Sequence, residues 1–265
     1  MSESRNVSII LPCYNGEKYL LETLNSIEGQ IFVGRIELIF INDGSTDNSV
    51  EIFNSFRFNA NISTKLISRK NRGFIFSIEE GIDASKYDLI ARIDADDAWK
   101  TNHLTTLVPL FEDKNIVLVG SRAALIDHVG NYIGESKKIG NTHLYLLKDN
   151  PFIHSSIIFR RKSYKKLNNP YRIHGLFSDK IKSHYGDYHC FIQFSKIGTL
   201  KIINDITLNY RLLGNSMSRS NNNIESMKMR LYLMKKAIKT TTNNRYILFG
   251  FIYQTIYKFK IILSS

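Results

Sequence analysis

Leu89-Ile90-Ala91-Arg92-Ile93-Asp94-Ala95-Asp96-Asp97 is a short apolar run that ends abruptly in three carboxylates within four residues. A continuous apolar stretch of this length, bounded by polar residues, reads as a strand covered on both faces. The residues before it show how it is covered. Residues 7–11 and 36–41 are two more apolar runs, and 64–68 is a further strand. Between them Leu20, Leu24 and Ile27 recur at helical spacing, as do Val50, Phe53, Ile52 and Phe56, with Ser45 or Thr46 as the expected cap and Asp47 in the first turn. Residues 73–84 form another helical stretch. Strands alternating with helices predict βαβ units and an α/β fold with a mostly parallel, Rossmann-like sheet flanked by helices.

Ligands of open parallel sheets bind outside the carboxyl ends of the strands. The residues at those ends are Pro12, Tyr14 and Asn15; Asn42, Asp43, Gly44 and Ser45; Arg69, Asn71, Arg72 and Gly73; then Asp94, Ala95, Asp96 and Asp97. Four successive polar, turn-forming ends would converge on one rim. A nucleotide needs such a rim: aromatic or amide groups for the base, a carboxylate for base or ribose, and arginine for phosphate. Three clustered carboxylates repel one another unless something neutralises them. Mg²⁺ and Mn²⁺ take oxygen ligands and commonly bridge one or two carboxylates to substrate phosphates. An isolated Asp-x-Asp is more often an acidic turn in solvent. Its place after a buried strand, opposite Asp43 and Arg69, favours the metal reading here.

Beyond residue 100 the pattern loosens. Leu104, Leu107, Val108 and Phe111 suggest a helix, 116–119 a strand, and 123–127 with 132–134 a hairpin around Gly130-Asn131. Residues 156–159, 200–203 and 207–210 read as short strands, and 187–197 as a helix. Asp187 stands at the start of that helix, where it can cap it or act as a general base on a hydroxyl. His154 and Ser155 precede a strand; a structural role for the histidine is as reasonable as a ligand contact.

The chain has 265 residues, 43% hydrophobic, with 36 Lys+Arg against 24 Asp+Glu and a net charge of +12. A core of one large domain can be buried, and disorder is excluded as the default. From Ile224 onward eight basic residues face one acidic residue, Glu225. Met227, Leu231, Met234 and Ile238 recur there at helical spacing, and 246–263 mixes aromatic and aliphatic residues. This composition suits a helix in an anionic membrane interface; packing on the domain's own core is the alternative. Residues 221–223 and 240–244 are the expected linkers. No stretch reaches the ~18–20 apolar residues that span a bilayer, and the run 7–11 is too short for a secretory signal. Cys13 and Cys190 show neither metal-ligand spacing nor a disulfide framework, which fits a reducing compartment. The expected location is cytoplasmic, peripheral at the inner face of the cell membrane.

The segments 7–15, 39–47, Asn71-Arg72-Gly73, Asp94-Ala95-Asp96-Asp97, Gly186-Asp187-Tyr188 and 210–218 resemble, in order, the motifs of family 2 glycosyltransferases. The resemblance runs from about residue 7 to 218 and implies a GT-A fold, an inverting mechanism and a nucleotide-sugar donor, taken as a UDP-sugar. By carry-over Pro12, Tyr14, Asn15, Asp43, Arg69, Gly73, Asp94, Ala95 and Asp96 form the nucleotide site, Asp96 and Asp94 hold Mn²⁺ or Mg²⁺, and Asp187 is the base. His154, Ser155, Tyr188, Arg211 and Ser216 are candidate acceptor or phosphate contacts. The expected division is 1–100 for the donor half, 101–218 for the acceptor half of the same domain, and 219–265 for the basic helical tail. The acceptor implied is a glycan or lipid-linked glycan of bacterial surface-polysaccharide assembly.

Three positions depart from the family pattern. Gly186 stands where the family usually has Glu, Leu213 where it often has His, and the Gln-x-x-Arg-Trp motif of processive members is absent, Trp99 being the only tryptophan. One sugar per encounter is therefore expected. A sugar nucleotidyltransferase would show a Gly-rich loop with a basic residue after the first strand, and Pro12-Cys13-Tyr14-Asn15 is not that. A basic nucleic-acid binder has only the net charge in its favour; the excess lies largely in the tail, and no recognition motif accompanies it, so no nucleic-acid partner is expected.

Overall fold

The computed structural model describes residues 6–174, 177–213, 224–242 and 244–264, and every structural statement below refers to these. The first half is β1 (Val7–Cys13), α1 (Glu17–Glu28), β2 (Ile36–Asn42), α2 (Ser49–Ser55), β3 (Ile62–Ser68), α3 (Phe74–Ala84) and β4 (Leu89–Arg92). The second half is β5 (Ala98–Trp99), α4 (His103–Leu107), β6 (Ile116–Ile126), β7 (Tyr132–Glu135), α5 (Thr142–Leu146), β8 (Ile158–Arg160), α6 (Arg161–Lys165), α7 (Asp179–His184), α8 (Gly186–Phe194) and β9 (Thr199–Arg211). The tail forms α9 (Ile224–Ile238) and α10 (Asn244–Ser264).

The strands join one sheet in the order β3-β2-β1-β4-β8-β6-β9-β5, with β7 on β6. β3, β2, β1 and β4 run parallel, with Ile10 level with Ile39 and Arg92. β8 enters antiparallel between β4 and β6, so the sheet is mixed only beyond the donor half. Because side chains alternate along a strand, the two faces feed different cores. Ile9, Leu11, Leu38 and Phe40 pack with Leu20, Leu24 and Ile27 of α1. Ile10, Ile39 and Ile41 pack with Ile78 and Ile82 of α3, and with α8 and α9. Gly81 permits the close approach of α3, since a Cβ there would lie 2.6 Å from Ile10 Cγ2.

Several local expectations change. Ser45 and Thr46 do not cap α2, which starts at Ser49; Ser45 Oγ instead accepts from Asn15 N and Thr46 N donates to Asn15 Oδ1. The helix expected across 104–111 is α4 followed by a 3₁₀ turn, Val108–Glu112, containing Pro109. The segments 116–119 and 123–127 belong to one strand, β6, and 200–203 and 207–210 to another, β9. The polar residues between them, Ser121, Arg122, Asn204 and Asp205, do not interrupt the strands. They are accommodated by register shifts around Arg122 and by Arg122 donating to Ser136 O and pairing with Glu135. The turn at Gly130 does form a hairpin, β6 with β7.

The tail expectation divides. α9 uses its apolar side on the core, burying Met229, Leu233, Met234, Ala237 and Ile238, while Met227 and Leu231 are only half-buried. For α9, packing on the domain's own core is therefore the correct alternative. α10 lies against α9, where a Cβ on Gly250 would meet Ile238 Cγ1 at 2.5 Å. Among the described residues no helix is long and apolar enough to cross a membrane.

Candidate active site

The carboxyl ends of β1, β2 and β4, with the loop after β3, open on a cavity of 530 Å³. Pro12, Tyr14, Asn15 and Asp43 line one side; Gly73, Asp94, Ala95 and Asp96 line the other. Tyr14 is 56% exposed, with its ring free at the rim. Asn15 adopts φ 52°, a turn conformation that asparagine tolerates better than most residues. Leu213 lines the same cavity, so an apolar side chain occupies the place where a histidine was expected from the family pattern.

Asp43 organises the loop after β3. Its carboxylate accepts from Arg72 N at 2.7 Å and Gly73 N at 2.9 Å, and it pairs with Arg69. Arg69 also donates to Glu80 at 2.8 Å and to Ser77 Oγ at 2.9 Å. Its guanidinium is thus engaged behind the cavity wall and does not face the cavity. Gly44, with φ 79°, brings its chain against Asn71 N, where a Cβ would lie at 2.7 Å.

The acidic loop is held by two arginines. Arg92, fully buried at the end of β4, pairs with both carboxylate oxygens of Asp94. Ser155 Oγ donates to Asp94 at 3.0 Å and accepts from Asp94 N, so this hydroxyl is committed to the loop. Arg211 is 2% exposed: its N–H donates to Asp97, Nε to Asp96 O, and its guanidinium pairs with Glu22. Arg211 therefore braces the loop from beneath. Ligand atoms of Asp94, Asp96 and Asp97 lie within 4.8 Å of one another. Burial, then the Asp94 charge, push Asp96 up to about 6, with Arg92 and Arg211 opposing. Burial, then the Asp96 and Asp94 charges, also raise Asp97 well above the usual carboxylate range, and its Oδ2 is buried without a hydrogen-bond partner. Crowded, under-neutralised carboxylates fit a divalent cation. With Asp94 taken by Arg92, Asp96 is the carboxylate best free to ligate.

A second cavity of 340 Å³ adjoins the first, sharing Phe74 and Asp94 with it. Asp187, in the first turn of α8, lines this cavity with Asn150, His154, Tyr171, Tyr188 and Arg230. Asn150 Nδ2 donates to Asp187 Oδ2 at 3.0 Å and Tyr188 N donates to Oδ1 at 2.6 Å. Burial raises Asp187 to about 6, while these hydrogen bonds and the Arg92 charge oppose the shift. His154 Nε2 lies 2.9 Å from Tyr171 OH; burial, then the Arg92 charge, hold the imidazole well below its ordinary range, so it is neutral. Tyr188 donates its hydroxyl to Leu146 O at 2.6 Å. Ser216 lies outside the described residues.

Gly186 has a steric reason. A Cβ there would sit 2.9 Å from Tyr171 O and 3.0 Å from Ile75 Cδ1. Ordinarily Gly→Ala in a helix gains up to ~1 kcal/mol. Here overpacking against a backbone carbonyl, typically ~1–3 kcal/mol, outweighs it. Gly186→Ala should therefore lower the denaturation midpoint, and Gly186→Glu should lower it more. An unchanged midpoint in Gly186→Ala would show that the Tyr171 backbone yields freely.

Arg92, Asn150 and Arg230 are the site residues that sequence reasoning missed. Arg92 had a signal: a lone cation inside an apolar strand must find a partner. Asn150 and Arg230 had none, because each meets the cavity only through folding.

Comparison with known proteins follows the same outline. The sequence model of the family described as "Glycosyl transferase family 2" matches residues 8–196. An uncharacterised glycosyltransferase of Haemophilus influenzae is 31% identical over 223 residues, covering 80% of this chain and 67% of that protein. The chain spans less than half the length of several other curated relatives. The structure of S. aureus TarS 1–349 in complex with UDP-GlcNAc superposes with TM-score 0.67 at 18% identity, covering 90% of this chain and 68% of that one. The mannosyltransferase PcManGT from Pyrobaculum calidifontis, in complex with GDP-Man and Mn²⁺, gives 0.63 at 13% identity, covering 97% and 87%. These likenesses show the fold, which is GT-A.

Proposed function

We propose, from the premise that this chain belongs to glycosyl transferase family 2, that it transfers a single sugar from a UDP-sugar to an acceptor hydroxyl with inversion. The adjacency of the two cavities carries the reading: clustered carboxylates line one, Asp187 lines the other together with the Arg230-paired Asp149, and Phe74 and Asp94 are common to both. The UDP donor is favoured by the fold neighbour that binds UDP-GlcNAc. Residues 1–100 supply the donor side and 101–218 the acceptor side of one domain. Pro12, Tyr14, Asn15, Asp43, Gly73 and Ala95 shape the nucleotide pocket; Arg69 acts on it through Asp43, and Arg211 through Asp96 and Asp97.

The acceptor oxygen attacks the anomeric carbon, the bond from that carbon to the donor phosphate breaks, and the acceptor proton passes to Asp187. A base with a pKa near 6 is largely ionised at neutral pH and strong enough to accept that proton. Asn150 fixes the carboxylate, and neutral His154 with Tyr171 closes the wall beside it. Mn²⁺ or Mg²⁺, held by Asp96 with Asp94 and Asp97 beside it, would supply positive charge to the donor diphosphate. The acceptor is read as a glycan, free or lipid-linked. Arg230, from the tail, reaches the acceptor side, held by Tyr185 and Tyr257 hydroxyls at 3.0 Å each and by Asp149 at 3.7 Å. The absence of a Gln-x-x-Arg-Trp motif favours one transfer per encounter.

Thermal unfolding with UDP, with and without Mn²⁺, tests the donor site. A ligand at 100 times its dissociation constant adds ~2.7 kcal/mol to the folded state. The expected shift needs both UDP and Mn²⁺ and shrinks in Asp96→Ala. A shift with another nucleotide alone would replace the donor base. No shift with any nucleotide would overturn the donor site.

A further inference from the structure

Between α9 and α10 runs a groove of 450 Å³ lined by Tyr232, Ile238 and Phe251 with the buried Gln254, and carrying Lys235, Lys236 and Lys239. Beside it, Leu248, Phe251, Ile252 and Ile256 of α10 are 62%, 54%, 51% and 45% exposed. Their spacing of three and four residues places them on one side of the helix. Four large apolar side chains on one helix face, next to a lysine rim, exceed the scattered exposure usual on a soluble surface.

The rim is crowded with like charge. Lys236 Nζ lies 3.3 Å from His189 Nε2 and 4.8 Å from the Tyr232 ring centroid, neither of them anionic. Burial, then the Lys236 charge, hold His189 down to about 4 and also lower Lys196. The one carboxylate of the tail, Glu225, is engaged elsewhere, accepting from Ser178 N. An anion at the rim would neutralise the three lysines.

We infer that the groove and the exposed face of α10 form a docking surface for an anionic phospholipid bilayer, headgroup phosphates meeting the lysines and the α10 side chains entering the acyl boundary. The pairing of charge and apolar surface selects this occupant. A second copy would bring lysines against lysines, and a nucleic acid would leave the apolar face in water. An interfacial helix needs this division of faces, and each lysine adds to binding at an anionic surface. α9 lies against the catalytic core on its other side, so docking would hold the Asp187 cavity close to the bilayer.

Sedimentation of the full chain with phosphatidylcholine vesicles, with and without phosphatidylglycerol, tests the inference. The wild type should pellet only with the anionic vesicles and should be released by high salt. A lysine near an anionic surface is worth about fivefold in partitioning, so Lys235→Glu/Lys239→Glu should weaken it by at least about 30-fold. Phe251→Ser/Ile252→Ser should return the protein to the supernatant. Both double variants should keep the UDP-dependent thermal shift, which separates loss of docking from loss of the donor site. Wild type left in the supernatant, equal pelleting with neutral vesicles, or variants that pellet like wild type would overturn the inference. So would a wild-type dimer in light scattering that Phe251→Ser/Ile252→Ser converts to a monomer.

Discussion

Asp187→Asn should lower turnover by about 10²- to 10⁴-fold, the usual cost of losing a positioned general base, while leaving UDP-dependent stabilisation intact. Asparagine keeps the size of the side chain and can still accept from Asn150, which donates to the native carboxylate at 3.0 Å. Its amide nitrogen then faces Tyr188 N, which donates to the native Oδ1, so that bond is lost together with the proton acceptor. In the wild type, kcat should rise with pH through an apparent pKa near 6, because Asp187 must be ionised to act. Stability should follow the opposite sign. The folded-state pKa lies above the unfolded one, so the native protein binds this proton more tightly, and the group's contribution is greatest in acid and declines as pH rises through about 6. Asp187→Asn should therefore show a stability that varies less with pH between about 4 and 6 than the wild type's. Near-normal turnover in the variant would sink the base assignment. A lost UDP shift would mean that the substitution disturbed the donor side instead.

Arg92→Met should destabilise the fold and move the pH profile together. Breaking a buried ion pair by removing one partner costs ~3–5 kcal/mol. The Asp94 side chain is 32% exposed, so solvent takes up part of the charge and a loss of ~2–3 kcal/mol is expected. For a chain of this size each kcal/mol corresponds to roughly 2–4 °C in Tm. Arg92 also lowers the pKa of both Asp96 and Asp187. Without it the acidic limb of the kcat profile should shift to higher pH. A Tm loss with an unmoved limb would leave Arg92 a packing role only. Neither effect would show that Asp94 is neutralised by another group.

Both variants act at residues of different legibility. Asp187 stood out as a carboxylate opening a helix, equally suited to a cap, and its reading as a base came from the family resemblance. The partner that holds its carboxylate in place, Asn150, comes from a loop 37 residues earlier. Arg92 stood in plain view as a cation in an apolar run, yet its target could have been any carboxylate of the rim. The same holds for Arg69, placed by resemblance in the nucleotide site, and for Arg211, a candidate acceptor or phosphate contact. Arg69 is turned to Asp43 and Glu80, and Arg211 to Glu22 and the acidic loop. Sequence shows that a guanidinium is present; competition among nearby acceptors decides which of them it meets.

By itself the sequence determined the four parallel strands and three intervening helices of the first hundred residues, and with them the rim on which Tyr14, Asp43, Gly73 and Asp96 gather. Local periodicity sets those elements, and a parallel sheet puts all its strand ends on one side. Only the tertiary structure decided that β6 and β9 are long strands, that Asp94 is bound to Arg92, and that Gly186 has no room for a side chain. It also separated the two halves of the basic tail. α9 lies against α8 and the core along its apolar side, whereas α10 meets the core through Tyr246, Ile247 and Phe249 near its start. Once α9 fills that place, the apolar face of α10 is left outward, a consequence of packing that no periodicity in either helix could state.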